Sequence, residues 1–447
     1  MHQAFLVSAL RPCASSLLLG LLLSACGGDP SLTSMTATET DATVGSSEDT
    51  VSGTTSTHDG SSSTDATGST GHETGEETDS ESDPCESSVP LDPSTLAWEA
   101  LPGLGMLGDG AEEALVTVDR DGTLYVGARF WREPARLEIH RLAGNAWELI
   151  GGQPIGDERA QGIGVEGDTV FVLTANGLYS SDGGPWQSDD ASSTHPDAAG
   201  LLPAALAQDQ QGRLVLMMTG ADQARVFRRS AEAWESLPGA LVPEPNGLHG
   251  NADWWRGRLA LNCTGHAAAI FQGTAFLFEG DAWESLGRYV TEDDATTGQL
   301  SANWPRISLT SDDRPVITWR SDHAGGSPRD PTLDQEVMIV RHDPVRGGFE
   351  RLGSPLAGFD DVTPPGYSTV AVSNADDIFL AWREASVHLA YFADDGWMPL
   401  VGDGALHESG TLPSLAVDPV SGLPVVAWAV SGCDDCPPFA VGRAIRR

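Results

Sequence analysis

The sequence contains no lysine, so its 25 basic residues are all arginine, against 64 Asp and Glu, for a formal charge of −39. A chain so poor in cations repels nucleic acid and anionic lipid headgroups, which argues against both as electrostatic partners. No segment holds a 3.6-residue apolar period for ten residues, which argues against a helical architecture. Long hydrophobic runs are missing too. The one apolar stretch, "LLLGLLL" at 17–23, is too short to cross a bilayer as a mature helix. There is no Gly-x-Ser-x-Gly elbow, no His-Glu-x-x-His and no phosphate-cradling glycine loop. The acids of "DRDG" (119–122) and "EDDA" (292–295) lack the distal Glu of a calcium loop. No metal and no cofactor are therefore expected, and no catalytic constellation is evident.

Turn residues and tryptophan are plentiful: 51 Gly, 28 Pro and 13 Trp, a composition of turn-rich β-structure. Arg11 precedes the apolar run, and "LSAC" (23–26) follows it. This start resembles a bacterial lipoprotein precursor, with Leu23, Ser24, Ala25 and Cys26 matching the lipobox position by position. The resemblance implies that residues 1–25 are a signal peptide removed before Cys26, whose sulfur takes a diacylglycerol and whose amine is acylated. Two or three acyl chains on one residue anchor stably. Gly27, in place of Asp, favours the outer membrane of a Gram-negative cell. The expected address is the cell envelope, outside the cytoplasm, with the membrane contacted through lipid.

Residues 26–88 are dominated by Ser, Thr, Gly, Asp and Glu, without aromatics or arginine. Such a stretch has too little apolar surface to offset its conformational entropy, and its like charges extend it. It reads as a disordered tether carrying a globular body, residues 89–447. With Cys13 in the signal and Cys26 lipidated, Cys85, Cys263, Cys433 and Cys436 remain as disulfide candidates, with three possible pairings. "CDDC" (433–436) lacks the helical context of a redox motif and the second pair of a zinc site. A structural disulfide in a loop is expected there.

A repeat organises the body. "LAWEALPG" (96–103), "NAWELIGG" (145–152), "GPWQSDD" (184–190), "EAWESLPG" (232–239), "DAWESLGR" (281–288), "GGFERLGS" (347–354) and "DGWMPLVG" (395–402) align on one aromatic. The positions are Trp98, Trp147, Trp186, Trp234, Trp283, Phe349 and Trp397, mostly 48 or 49 apart, with one interval of 39 and one of 66. Between them recur paired apolar runs around Asp/Gly turns, such as "LVTVDRDGTLYVGAR" (115–129), "LAVDPVSGLPVVAW" (415–428) and, more weakly, "DWWRGRLALNC" (253–263). A further strand precedes each aromatic, as in "LEIHRL" (137–142). Four strands per unit, seven times, predict an all-β, seven-bladed β-propeller of antiparallel blades, each a meander of strands a to d. Trp98 opens a d strand with no blade before it, and "PFAVGRAI" (438–445) is a c strand with no d after it. The N-terminal strand of the body is thus predicted to complete the last blade and close the ring. The aromatics are expected to pack between blades.

"GLYSSDGGPWQS" (177–188) resembles the Asp-box of sialidase-like propellers through Ser180, Asp182 and Gly184, with Trp186 one residue early. In that family the box is a structural turn between strands c and d.

The a–b and c–d connections are short, whereas d–a and b–c connections such as 287–304, 320–335 and 353–367 are long. Both long sets emerge on one face, where binding residues concentrate. Candidate ligand-binding residues there are Arg129, Arg320 and Arg383 after strand b, His323 and Trp254; an arginine cluster suits a carboxylate or sulfate. Glu133, Asp322 and Glu384 stand beside these arginines in sequence and offer local ion pairs. The leading expectation is a monomeric binding or scaffold module for a glycan or extracellular protein. The rival is a sialidase-like glycoside hydrolase or lyase, which requires paired carboxylates or a Tyr–Glu pair with an arginine clamp. Of five tyrosines, Tyr289 and Tyr367 are the two placed to reach the mouth.

Overall fold

The computed structural model describes Cys85 and residues 91–103, 111–130, 134–189, 195–209, 211–230, 233–243, 257–290, 300–323, 336–353, 367–383, 386–393, 396–400, 405–407, 410–430 and 439–447. The chain divides into two units, Met1–Glu77 and Thr78–Arg447, and every described residue lies in the second. The signal peptide, Cys26 and most of the tether lie outside the described residues, as do Cys433 and Cys436.

The body is a seven-bladed β-propeller. Blade 1 is Ala111–Val118, Leu124–Phe130, Arg136–Ala143 and Ala146–Leu149, paired in that order and antiparallel throughout. Blades 2 to 6 repeat the meander, and blade 6 carries an extra short strand, Ala405–His407, against its strand c. Blade 7 takes strands a to c from Gly410–Val417, Pro424–Val430 and Phe439–Arg446, and strand d from Leu96–Ala100. Trp98 lies opposite Ala444, and the Arg447 N–H donates to Thr95 O at 2.8 Å. The predicted closure is therefore what the chain does.

Blade 4 corrects one detail of the sequence reading. "RLALNC" was expected to be strand b, but Arg258–Leu261 is strand a, and strand b is Ala267–Phe271. The run "AAAIF" carries little β-branching, so its strand signal is weak. It is fully buried in the small space between sheets. Residues 253–255 lie outside the described residues.

The tryptophan repeat encodes a latch between blades. Seven hydrophobic clusters each join two neighbouring blades, and each holds one of the seven aromatics, from Trp147 between blades 7 and 1 to Trp98 between blades 6 and 7. The indole N–H of Trp147, Trp186 and Trp397 donates to Pro102 O, Gln153 O and Leu352 O, each just past strand d of the preceding blade. Glycine follows because the incoming indole needs its space. A Cβ on Gly151 would stand 2.3 Å from Trp186 Nε1, and φ is +75° there. At Gly353, φ +72°, the fit is looser: a Cβ would stand 3.3 Å from Trp397 Cδ1. The glutamate after the aromatic pairs with strand c: Glu99 with Arg443 at 2.7 Å, Glu148 with Arg141 at 2.8 Å, and Glu350 with Arg341 at 2.9 Å. These exposed or half-buried pairs contribute about 1 kcal/mol or less each. The aliphatic residue at the end of the motif turns inward, as Ile150, Leu237, Leu352 and Leu400 do.

The a–b turns are capped by a side chain at their first position. Asp119 Oδ1 accepts from the N–H groups of Asp121 and Thr123, and Asp209 Oδ1 from Gln211 and Arg213. Asn262, Ser373 and Asp418 cap in the same manner. In the Asp-box-like turn it is Ser181, not Ser180, whose hydroxyl ties the c–d connection, donating to Gly184 O at 2.6 Å. Cys85 and Cys263 form a disulfide, which fixes the segment ahead of the propeller to the a–b turn of blade 4.

Candidate functional site

The a strands line the ring's central channel, and among the described residues their inner edges have no ladder partner. Side chains of adjacent blades take up part of this hydrogen bonding. Val116 N–H donates to Ser414 Oγ, Val372 N–H donates to Ser308 Oγ, and the Gln208 amide bonds both N–H and C=O of Val165. The channel holds a cavity of about 760 Å³. That volume suits a small molecule or a few sugar units.

The cavity mouth differs from the rest of the channel. Five of the seven a strands shift register at their mouth end: between Ala111 and Glu113, Ala160 and Gly162, Pro203 and Ala205, Asn303 and Arg306, and Thr411 and Ser414. A bulge bends its strand and re-aims the next side chains. In blade 5 it contains Trp304, whose φ of +52° is unusual for a bulky residue. In blade 1 the residue just past the bulge is Glu113, and in blade 5 it is Arg306; both line the cavity.

Five arginines (Arg120, Arg129, Arg159, Arg258, Arg306) and four acids (Glu113, Asp157, Glu158, Asp209) line this cavity, in a chain with 25 basic against 64 acidic residues. The cations are not all engaged alike. Arg129 pairs with Glu112 and, at 3.0 Å, with Asp157. Arg159 holds Glu112 at 2.5 Å. Arg306 Nη1 donates only to the carbonyl of its neighbour Pro305, at 3.2 Å, and no carboxylate among the described residues hydrogen-bonds it. Burial pushes its guanidinium below the usual value, with Glu113 and Tyr367 opposing the shift. Glu113 is the converse case. Its Oε2 is shut off from solvent with no hydrogen-bond partner, and Arg159 Nε, at 3.7 Å, is too far to supply one. Burial raises its carboxyl above the ordinary range, against the pull of Arg159, Arg306 and Arg129.

Tyr367 completes the mouth. Its ring packs on Trp304 with centroids 4.1 Å apart, and Arg320 stands over Trp304 at 5.2 Å. The Arg383 N–H donates to Tyr367 O at 3.1 Å. Its hydroxyl sits in the field of Arg159, Arg320, Arg383 and Glu113, yet burial dominates and raises its pKa.

The predicted residues fall out unevenly. Arg129, Arg320 and Arg383 occupy the sixth position of strand b in blades 1, 5 and 6, at the mouth end. Arg129 lines the cavity, and Arg320 and Arg383 flank Tyr367. The expected ion pairs differ from those found: Arg129 uses Glu112 and Asp157, while Glu133 and Glu384 lie outside the described residues. Trp254 also lies outside them, as do the side chains of Asp322 and His323. Tyr289 does not reach the mouth, contrary to expectation. It is fully buried against Trp319, with ring centroids 5.3 Å apart, because the chain after strand d of blade 4 turns inward. Glu113, Arg159, Trp304 and Arg306 were not anticipated. One signal for part of this was available: Pro203, Pro305 and Pro413 sit inside a strands, where proline marks a bulge.

Among the described residues no group of three His, Cys, Asp or Glu has the geometry of a metal site, and no helix is long and apolar enough to cross a membrane. No family model matches the chain, and no curated protein matches it significantly. Solved structures resemble it at low identity. YCF48 from Cyanidioschyzon merolae is 13% identical with a TM-score of 0.46, covering 77% of this chain and 98% of that one. An alpha-L-arabinanase from Penicillium chrysogenum, complexed with arabinobiose, is 11% identical with a TM-score of 0.40, covering 78% and 98%. An ulvan lyase bound to a GlcA(1-4)Rha3S saccharide is 12% identical with a TM-score of 0.47, covering 77% and 95%. Values this low carry no inference about what this chain binds.

Proposed function

We propose that the protein is a lipid-anchored binding module of the cell envelope, and that its channel mouth takes an acidic saccharide. The lipobox at Leu23–Cys26 supports the address. One observation carries the ligand class: Arg306 lies in a cavity of oligosaccharide size, on the inner wall of a strongly acidic protein, without a carboxylate bonded to it. Arg306 is only partly buried, and an incoming carboxylate or sulfate supplies its guanidinium with a charged hydrogen-bond partner. Arg383, whose buried Nε has no hydrogen-bond partner, extends the positive field behind Tyr367.

A hydrolase or lyase at this mouth needs an ionised base or nucleophile beside its acid; burial raises both Glu113 and Tyr367, which suits the acid's part and leaves the ionised partner unassigned. The test is calorimetric titration with tetragalacturonate, a sulfated galactan tetrasaccharide and a neutral galactan tetrasaccharide. The two acidic probes are expected to bind and the neutral one to bind weakly. Arg306→Gln is expected to lose about 10- to 100-fold in affinity, the worth of one charged hydrogen bond. Equal binding of all three probes, or an unaffected Arg306→Gln, overturns the reading. Cleavage of either acidic probe, lost in Tyr367→Phe, would establish the enzyme instead.

A further inference from the structure

Glu113 and Arg306 face the same cavity from blades 1 and 5; among the described residues nothing hydrogen-bonds Glu113 Oε2 and no carboxylate bonds Arg306. Glu113 reaches this place because the bulge at Ala111 to Glu113 turns it into the channel, while the preceding Glu112 takes up Arg129 and Arg159. The two adjacent acids are thus divided: one satisfied by two guanidinium groups, the other left with a solvent-excluded oxygen that bonds nothing. A buried carboxyl oxygen without a donor is unfavourable as an anion. As a neutral acid it carries a hydroxyl able to donate to an oxyanion held on Arg306.

We propose that Glu113 is the proton-carrying specificity residue of this mouth: its carboxyl donates a hydrogen bond to the ligand's oxyanion, so that each anion bound brings one proton in with it. The inference rests on the acidic-saccharide reading above. The charged groups around Glu113 are Arg159 from the connection before blade 2, Arg306 from strand a of blade 5, and Glu112 and Arg129 within blade 1; Tyr367 lies ahead of strand a of blade 6. The three arginines favour its ionised form, and burial together with Glu112 opposes them and prevails. A ligand anion adds a second like charge beside Glu113 and so moves the balance further toward the protonated acid. Above the pKa of Glu113, ligand and carboxylate compete for the same guanidinium, and the ligand binds only as a proton arrives from solvent.

The consequence is a steep pH dependence from a ligand whose own charge is constant. Tetragalacturonate and the sulfated tetrasaccharide are titrated from pH 5.5 to 9 in pairs of buffers with different ionisation enthalpies. Uptake of close to one proton per anion is expected on the alkaline side, with affinity falling up to about tenfold per pH unit. Glu113→Gln keeps a donor and cannot ionise, so its binding should be level in pH and should exceed the native protein's at pH 8.5. A ligand-free arm follows from the same residue. Because the folded protein holds this proton more tightly than the unfolded chain, the stability it adds is present at acid pH and is lost as pH rises through the folded value. The melting temperature of Glu113→Gln minus that of the native protein should therefore increase with pH. Acidic probes that bind with pH-independent affinity, or a pH slope that survives in Glu113→Gln, overturn this inference alone. No binding of either probe at any pH overturns the reading of the site and this inference with it.

Discussion

The outer rim and the inner mouth of this propeller are built on opposite terms. The rim draws on one recurring set of residues. An aromatic reaches to the preceding blade, a glutamate pairs with strand c, an aliphatic residue turns inward and a glycine leaves room for the next ring. At the mouth the bulged blades do not agree with one another. Equivalent positions past the bulge hold Glu113 in blade 1, Gly162 in blade 2, Ala205 in blade 3 and Arg306 in blade 5. At the rim three indole N–H groups sit on carbonyls at 2.6–3.1 Å, while those of Trp234 and Trp283 are buried without a partner among the described residues. Among the same residues the mouth keeps charged groups in that state, a guanidinium without a carboxylate and a carboxyl oxygen without a donor. The difference teaches that repetition here serves cohesion, and the proposed binding site falls where the repeat departs from itself.

The contrast is broken most severely at the closure. Deleting residues 91–101 removes strand d of blade 7 and exposes the edge of Phe439–Arg446. The loss of stability should exceed the ~3–5 kcal/mol of a buried Trp→Ala change. Amide exchange along Phe439–Arg446 should become fast, and unaltered protection there would remove the latch from the account. A finer cut compares adjacent glycines. Gly151 and Gly152 share a left-handed backbone, φ +75° and +65°, but a Cβ meets Trp186 at the first and nothing within 4 Å at the second. Gly152→Ala should cost about 1–2 kcal/mol, the strain of the backbone alone. Gly151→Ala should cost that and about 1–3 kcal/mol more from overpacking, with the excess relieved in a Trp186→Ala background. Equal costs at both sites would show that the indole is not seated as described. The smallest change in stability belongs to the mouth. Arg306→Met should shift unfolding by less than about 1 kcal/mol, while the affinity for acidic probes collapses; a large destabilisation would make Arg306 part of the frame.

Legibility followed the same division. The rim was open to sequence reading because a latch used seven times repeats its letters, and the unpaired d strand at Trp98 and unpaired c strand before Arg446 announced the closure. Blade 4 was misassigned where alanines replaced branched residues in strand b. At the mouth, strand-end arginines were visible as "ARF", "TWR" and "AWR"; Arg129 lines the cavity, whereas Arg320 and Arg383 stand near Tyr367. Glu113 and Arg306 were not visible, because a single inserted residue decides whether a side chain faces the channel or a neighbouring blade. Tyr289 and Tyr367 had equal claims from chain position. Packing separated them, burying the first against Trp319 and leaving the second beside Trp304.

Crystals of the propeller soaked with the sulfated tetrasaccharide at pH 6 put the central claim to the most direct test. Difference density should place the sulfate on the Arg306 guanidinium, within hydrogen-bonding distance of Glu113. Density on the a–b turn face, or a sugar in the channel with its sulfate turned away from Arg306, would contradict the account.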